Sequence, residues 1–185
     1  MMTGPETYGE LIRGILLPER VMELGPGRPN LPVRPRLLSL TPESLFANRR
    51  LTDPNLARCC IAGLWLYHDF LDESHRISQD IATVEGSYWH GIMHRREPDA
   101  WNSKYWFRRV GQHPIFPRLA RQAATVGYTW RSPFDFIDDC ERWRGTGSAE
   151  ERTLCQVQAI EWRLLFDYCW HGAQGQTADD SPMSS

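Results

Sequence analysis

The sequence predicts an all-α protein: a compact, bundle-like helical domain with an extended, proline-rich N-terminal strap. Three observations carry that expectation. No segment shows the period-two apolar alternation of a half-buried strand, and no whole-domain repeat is present. Helix-start signals recur at Thr41-Pro42, Asp53-Pro54, Ser87, Asp99, Ser132-Pro133 and Ser148. Two segments, over 55–81 and 149–171, place apolar residues at helical spacing.

The elements follow in chain order. Glu6 to Leu17 has a short helical pattern that stops at Pro18. Pro26, Pro29, Pro32 and Pro35 recur every third residue, the period of a polyproline II helix, so residues 1–40 read as an arm ending in a surface strap. Thr41-Pro42 opens a short helix to about Asn48. Residues 55–81 read as one long helix broken by Gly86. Ser87 caps a helix to Arg96, and Asp99 or Asn102 starts the next, which runs to Arg109. Pro117–Val126 and Pro133–Trp143 are helical. Ser148 caps a final helix to His171, and residues 173–185 are expected to be a disordered tail. The helical domain spans 41–172.

Composition bounds the function. The chain has 185 residues, 41% of them hydrophobic and 24% charged, which suits one globular domain. The net charge of -2 excludes a globally basic nucleic-acid binder. Of 21 basic residues only Lys104 is lysine; the rest are arginines, which pair with carboxylates and stack on rings. Five cysteines form no CxxC pair, which points to a reducing cytoplasm rather than a zinc ribbon or a disulfide framework. No signal-peptide pattern opens the chain, and no apolar run is long enough for a bilayer. The Gly-rich loops of nucleotide-binding folds and the GxSxG elbow are absent.

Three segments carry the candidate chemistry. On the final helix Leu154, Val157, Leu164, Leu165 and Tyr168 share a face, and Glu161 falls at its centre, with Arg152, Gln156, Arg163 and Asp167 opposite. A buried carboxylate requires a cation, a metal, several donors or a proton. On the 55–81 helix a polar stripe of His68, Asp72, His75 and Gln79 runs between the apolar and wet faces. On the next helix His90, His94 and Glu97 repeat the i, i+4, i+7 spacing.

Helical bundles build metal sites from such inward side chains, and imidazole with carboxylate suits zinc, iron, manganese or nickel. The metal-ligand set is therefore His68, Asp72, His75, His90 and His94, with Glu97 or Glu161 as general base and Arg95 or Arg96 holding a small anionic substrate. The competing reading is a set of buried hydrogen bonds, with Arg95 or Arg96 closing on Glu161. A third reading places nucleic acid on Arg95, Arg96, Arg108 and Arg109; the acidic residues in the same interval weigh against it. His113 stands in a turn from which it can reach the site. His171 suits the C-terminal end of its helix.

The run YWHGIMHRREPDAWNSKYWFRRVGQHPIF, with HDFLDESH before it and EWRLLFDYCW after it, resembles an uncharacterised family of bacterial and fungal proteins over about residues 56–172. The resemblance implies a stand-alone soluble domain and carries over no activity, cofactor or catalytic residue. The expectation is thus a metal-dependent enzyme of hydrolase or hydratase type, set against a binding or scaffold protein with a buried polar network.

Overall fold

The computed structural model describes residues 5–176; of the expected disordered tail, 177–185 lie outside the described residues. The described chain is all-α and contains no strand. A 3-10 turn (Pro5–Tyr8) leads into α1 (Glu10–Leu16), and a second 3-10 turn (Leu31–Val33) leads into α2 (Arg34–Leu38) and α3 (Pro42–Leu45). Then come α4 (Pro54–Tyr67), α5 (Leu71–Ser78), α6 (Val84–Arg96), α7 (Ala100–Val110), α8 (Phe116–Thr125), α9 (Pro133–Trp143) and α10 (Ala149–Gly172).

Most starts follow the expected capping chemistry. Thr41 and Ser44 form a capping box, and Asp53, Asp99, Ser132 and Ser148 each accept a backbone N–H from the first turn of their helix. One cap differs. Thr83, not Ser87, caps α6, accepting from Gly86 N at 3.1 Å, so Gly86 lies inside the first turn instead of breaking the chain.

Two expectations need correction. The polyproline edge does not form across all four prolines: Pro32 lies in the second 3-10 turn and Pro35 in α2, near the starts of those elements, where a missing N–H costs nothing. The single helix over 55–81 is two helices. The chain breaks at His68–Phe70, where Asp69 takes a left-handed backbone (φ 63). Asp69 is buried and binds Arg96 at 2.5 Å and Arg20 at 2.6 Å, so two cations hold the strained turn.

The strap is part of the core. Met22 and Leu24 are buried, as are Tyr8, Ile12 and Ile15 of the arm. The strap's carbonyls are claimed by long-range donors. Gln158 Nε2 reaches Met22 and Glu23, Arg96 Nε reaches Glu23 and Gly25, and Arg144 Nε reaches Leu24. The arm also covers the side of α10 expected to be wet: Asp167 is buried and accepts a hydrogen bond from Tyr8, whose ring packs edge-on against Phe166 and Trp170.

Helix α6 positions the candidate site because it is buried on every side from Gly86 to Arg96. Two glycines allow that enclosure. A Cβ on Gly63 of α4 would lie 2.8 Å from the Trp89 ring, and one on Gly91 would lie 2.8 Å from Phe107 of α7. Gly63→Ala is therefore expected to destabilise by about 1–3 kcal/mol through overpacking, despite alanine's better helix propensity. A fall in urea midpoint without a change in slope is the readout.

Candidate metal centre

The polar residues of α6 sort onto three sides. Tyr88 and Arg95 face α10. Tyr88 Oη donates to Glu161 Oε1 at 3.0 Å, and Arg95 Nη2 donates to Glu161 Oε2 at 2.5 Å. Both members of this ion pair are fully buried, and the Arg95 guanidinium lies over the Phe136 ring at 4.5 Å. Burial, followed by the Glu161 charge, raises the Tyr88 hydroxyl well above its ordinary pKa and keeps it a donor. Glu161 is thus neutralised by an arginine and stands apart from the histidines. Arg96 turns toward the strap and the end of α4, where Asp69 and three backbone carbonyls occupy its donors. Neither arginine is exposed, so neither reaches a substrate or a phosphate from solvent in this arrangement.

The third side carries His90 and His94 toward α5. Their ring nitrogens converge with one from His75, all within 4.8 Å of one another. Among the described residues this is the one group of three or more His, Cys, Asp or Glu so placed. The ring centres of His75 lie 4.5 Å from His90 and 5.5 Å from His94. His90 and His94 are buried, whereas His75 is half-buried and Glu97 exposed, so the cluster lies at the edge of the core.

The hydrogen atoms can be placed by elimination. Ser78 Oγ donates to Ser74 O at 2.8 Å, which leaves it an acceptor toward His90 Nδ1 at 3.1 Å; His90 therefore carries its proton on Nδ1. His94 Nδ1 faces Glu97 Oε2 at 3.3 Å and Asp99 Oδ2 at 3.8 Å, two carboxylates that favour a proton there, although neither contact is a full hydrogen bond. Burial, followed by its histidine neighbours, pushes His90 down to about 3, and burial lowers His94 despite the pull of Glu97 and Asp99. Both rings are neutral at pH 7. His90 thus presents its Nε2 lone pair, and His94 Nε2 lies 3.1 Å from it: with its proton on Nε2 His94 donates a hydrogen bond there, and with its proton on Nδ1 the two lone pairs face each other. In the second tautomer the two acceptors share room for one positive centre, either a proton or a metal ion.

The remaining candidates lie elsewhere. His68 caps the end of α4, where its Nδ1 meets Asn30 Nδ2 at 3.1 Å; the break at Asp69 takes it out of line with His75. Asp72 is exposed on α5. Glu97 backs His94 from the solvent side and is not one of the converging group. His113 is buried among the Tyr88, Phe116 and Tyr168 rings. Reasoning from sequence missed Ser78, Asp99 and Trp106, whose ring centre lies 4.2 Å from that of His90. Ser78 had a usable signal, because it stands at i+3 from His75 and so shares its side of the helix; Trp106 had none.

The buried histidines set a pH dependence. Burial holds His68 and His113 down to about 4, and His90 to about 3, from an ordinary 6.5. The unfolded chain therefore binds protons near pH 6.5 that the folded chain refuses until pH 3–4. Their contribution is fully present above pH 6.5 and is lost as pH falls through the folded values. Urea midpoints are expected to be flat from pH 8 to 7 and to drop steadily from pH 6.5 to 4. A midpoint independent of pH over that window contradicts the assignment.

Comparisons with protein-family models, curated proteins and solved structures find no match to this chain, so no activity is transferred to it. Among the described residues no helix is long and apolar enough to cross a membrane.

Proposed function

We propose that the chain holds one divalent transition-metal ion on His75, His90 and His94, and that it is a metal-dependent enzyme of hydrolase or hydratase type acting on a small anionic substrate. The convergence of one ring nitrogen each from His75, His90 and His94, with the Nε2 atoms of the last two 3.1 Å apart, carries this reading. At metal–nitrogen bonds of about 2.0–2.1 Å, a 3.1 Å separation corresponds to an angle of about 100° at the ion, close to tetrahedral. His75, half-buried on α5, supplies the third nitrogen by a small side-chain movement. The Nδ1 contacts to Ser78 and to Glu97 and Asp99 are the outer-shell partners that orient such ligands. Three imidazoles favour zinc, nickel or iron over manganese, which prefers oxygen.

A metal held by three protein ligands keeps an open position and supplies an activated water. Glu97, exposed beside His94, is placed to take up a proton there. All five cysteines are free, which supports a cytoplasmic location.

The second reading, a non-enzymatic scaffold, draws on the Arg95–Glu161 and Arg96–Asp69 pairs, which are satisfied within the fold and fix helix packing. Metal analysis separates the two. Protein purified without chelator is expected to carry about one ion per chain; less than about 0.2, with no uptake on soaking, leaves only the scaffold.

A further inference from the structure

One face of α7 carries a second arrangement that the metal reading does not use. Trp101, Tyr105, Arg108 and Arg109 stand at i, i+4, i+7 and i+8, a strip about 12 Å long at the helical rise. Trp101 is 73% exposed and Tyr105 41%; their rings lie 6.3 Å apart and within 9° of parallel. Arg108 and Arg109 are exposed, and neither forms an ion pair among the described residues. Scattered exposed aromatics need no explanation, but two parallel rings followed by two uncompensated guanidiniums combine a stacking platform with an anion clamp.

The strip adjoins the histidine cluster. The Arg109 guanidinium lies over Trp106 at 5.1 Å, Tyr105 meets the same ring edge-on at 5.5 Å, and Trp106 packs on His90. Asp99 caps α7 and also faces His94, so the aromatic end of the strip starts beside the cluster's solvent edge. The cation role expected of Arg95 and Arg96 therefore has exposed candidates one helix away.

We propose that this strip binds a nucleoside monophosphate, with the base on Trp101 and Tyr105 and the phosphate on Arg108 and Arg109. A phosphate dianion matches two guanidiniums, and a planar base matches two parallel rings. A longer strand fits less well, because Glu97 and Asp99 stand just before the aromatic end of α7 and repel a backbone that continues that way. As the substrate class of the enzyme, this inference rests on the metal reading; as a binding site, it does not.

The test is calorimetry and tryptophan quenching on the full chain, metal-free and zinc-loaded, with AMP, adenosine, ribose 5-phosphate and oligoadenylates. AMP is expected to bind at least about tenfold tighter than either fragment, and Trp101→Ala or the pair Arg108→Gln with Arg109→Gln to weaken it about tenfold or more. These side chains are exposed, so circular dichroism and melting temperature should be unchanged. AMP binding no tighter than its fragments overturns the inference, as does affinity that climbs with oligomer length, which marks a strand-binding surface. Zinc uptake without AMP binding sinks this inference alone; AMP binding without zinc uptake sinks the metal reading alone.

Discussion

Replacing His94 with glutamine is expected to abolish tight metal binding while leaving the metal-free fold intact. In the wild-type protein without metal, His90 and His94 meet through their Nε2 atoms at 3.1 Å in a buried site. A glutamine amide at position 94 can turn an N–H toward His90 Nε2 and keep a hydrogen bond there. The metal-free variant should therefore melt within a few degrees of wild type, or above it. Metal affinity should fall by more than the roughly 10- to 100-fold that outer-shell partners contribute, because a ligand itself is lost. Zinc at a thousand times its Kd adds about 4 kcal/mol to wild-type stability. For a chain of this size that amounts to a rise of about 8–16 °C, absent in the variant. Calorimetry and melting with and without zinc read both quantities. A variant that is badly destabilised, compared with a wild type indifferent to zinc, points instead to a purely structural cluster.

Glu161→Gln should have the opposite profile. Glu161 and Arg95 are fully buried and meet at 2.5 Å. Removing the carboxylate charge leaves the guanidinium only neutral neighbours: the new amide oxygen, the Gln158 oxygen at 3.3 Å and the Phe136 ring. Breaking one partner of such a pair costs about 3–5 kcal/mol, or about 6–20 °C in melting temperature. Removing both charges, as Arg95→Met with Glu161→Leu, should recover much of the loss, less about 1–3 kcal/mol for the orphaned Tyr88 hydroxyl. Zinc affinity of the folded variant should be unchanged. Loss of zinc binding without loss of stability would return Glu161 to the metal site.

The fold class and most helix boundaries were legible because caps and breakers act locally: Ser132-Pro133 and Ser148 start helices where their side chains can accept an N–H. The break after Tyr67 was not legible. It depends on Asp69 meeting Arg96 and Arg20, partners distant in sequence, which hold a backbone turn that propensity alone disfavours. That break decided the site: it removed His68 from the stripe and left His75 to join His90 and His94. The pattern on α6 showed which residues share a side, but not that three sides meet three different partners. The position of Glu161 at the centre of an apolar face does show in the sequence that a buried charge needs compensation. Arg95 rather than a metal supplies it, as the competing reading allowed. The burial of Asp167 was hidden for a similar reason, since the arm that covers it lies far away in sequence.

X-ray absorption at the zinc edge, on protein loaded with one equivalent, reads the ligands of the ion themselves. Three imidazole nitrogens at about 2.0–2.1 Å are expected with one light-atom ligand besides, and a signal that changes in the His90 or His75 alanine variants. Sulfur in the first shell, or a six-oxygen signal of loosely held ion unaltered in those variants, contradicts the three-histidine site.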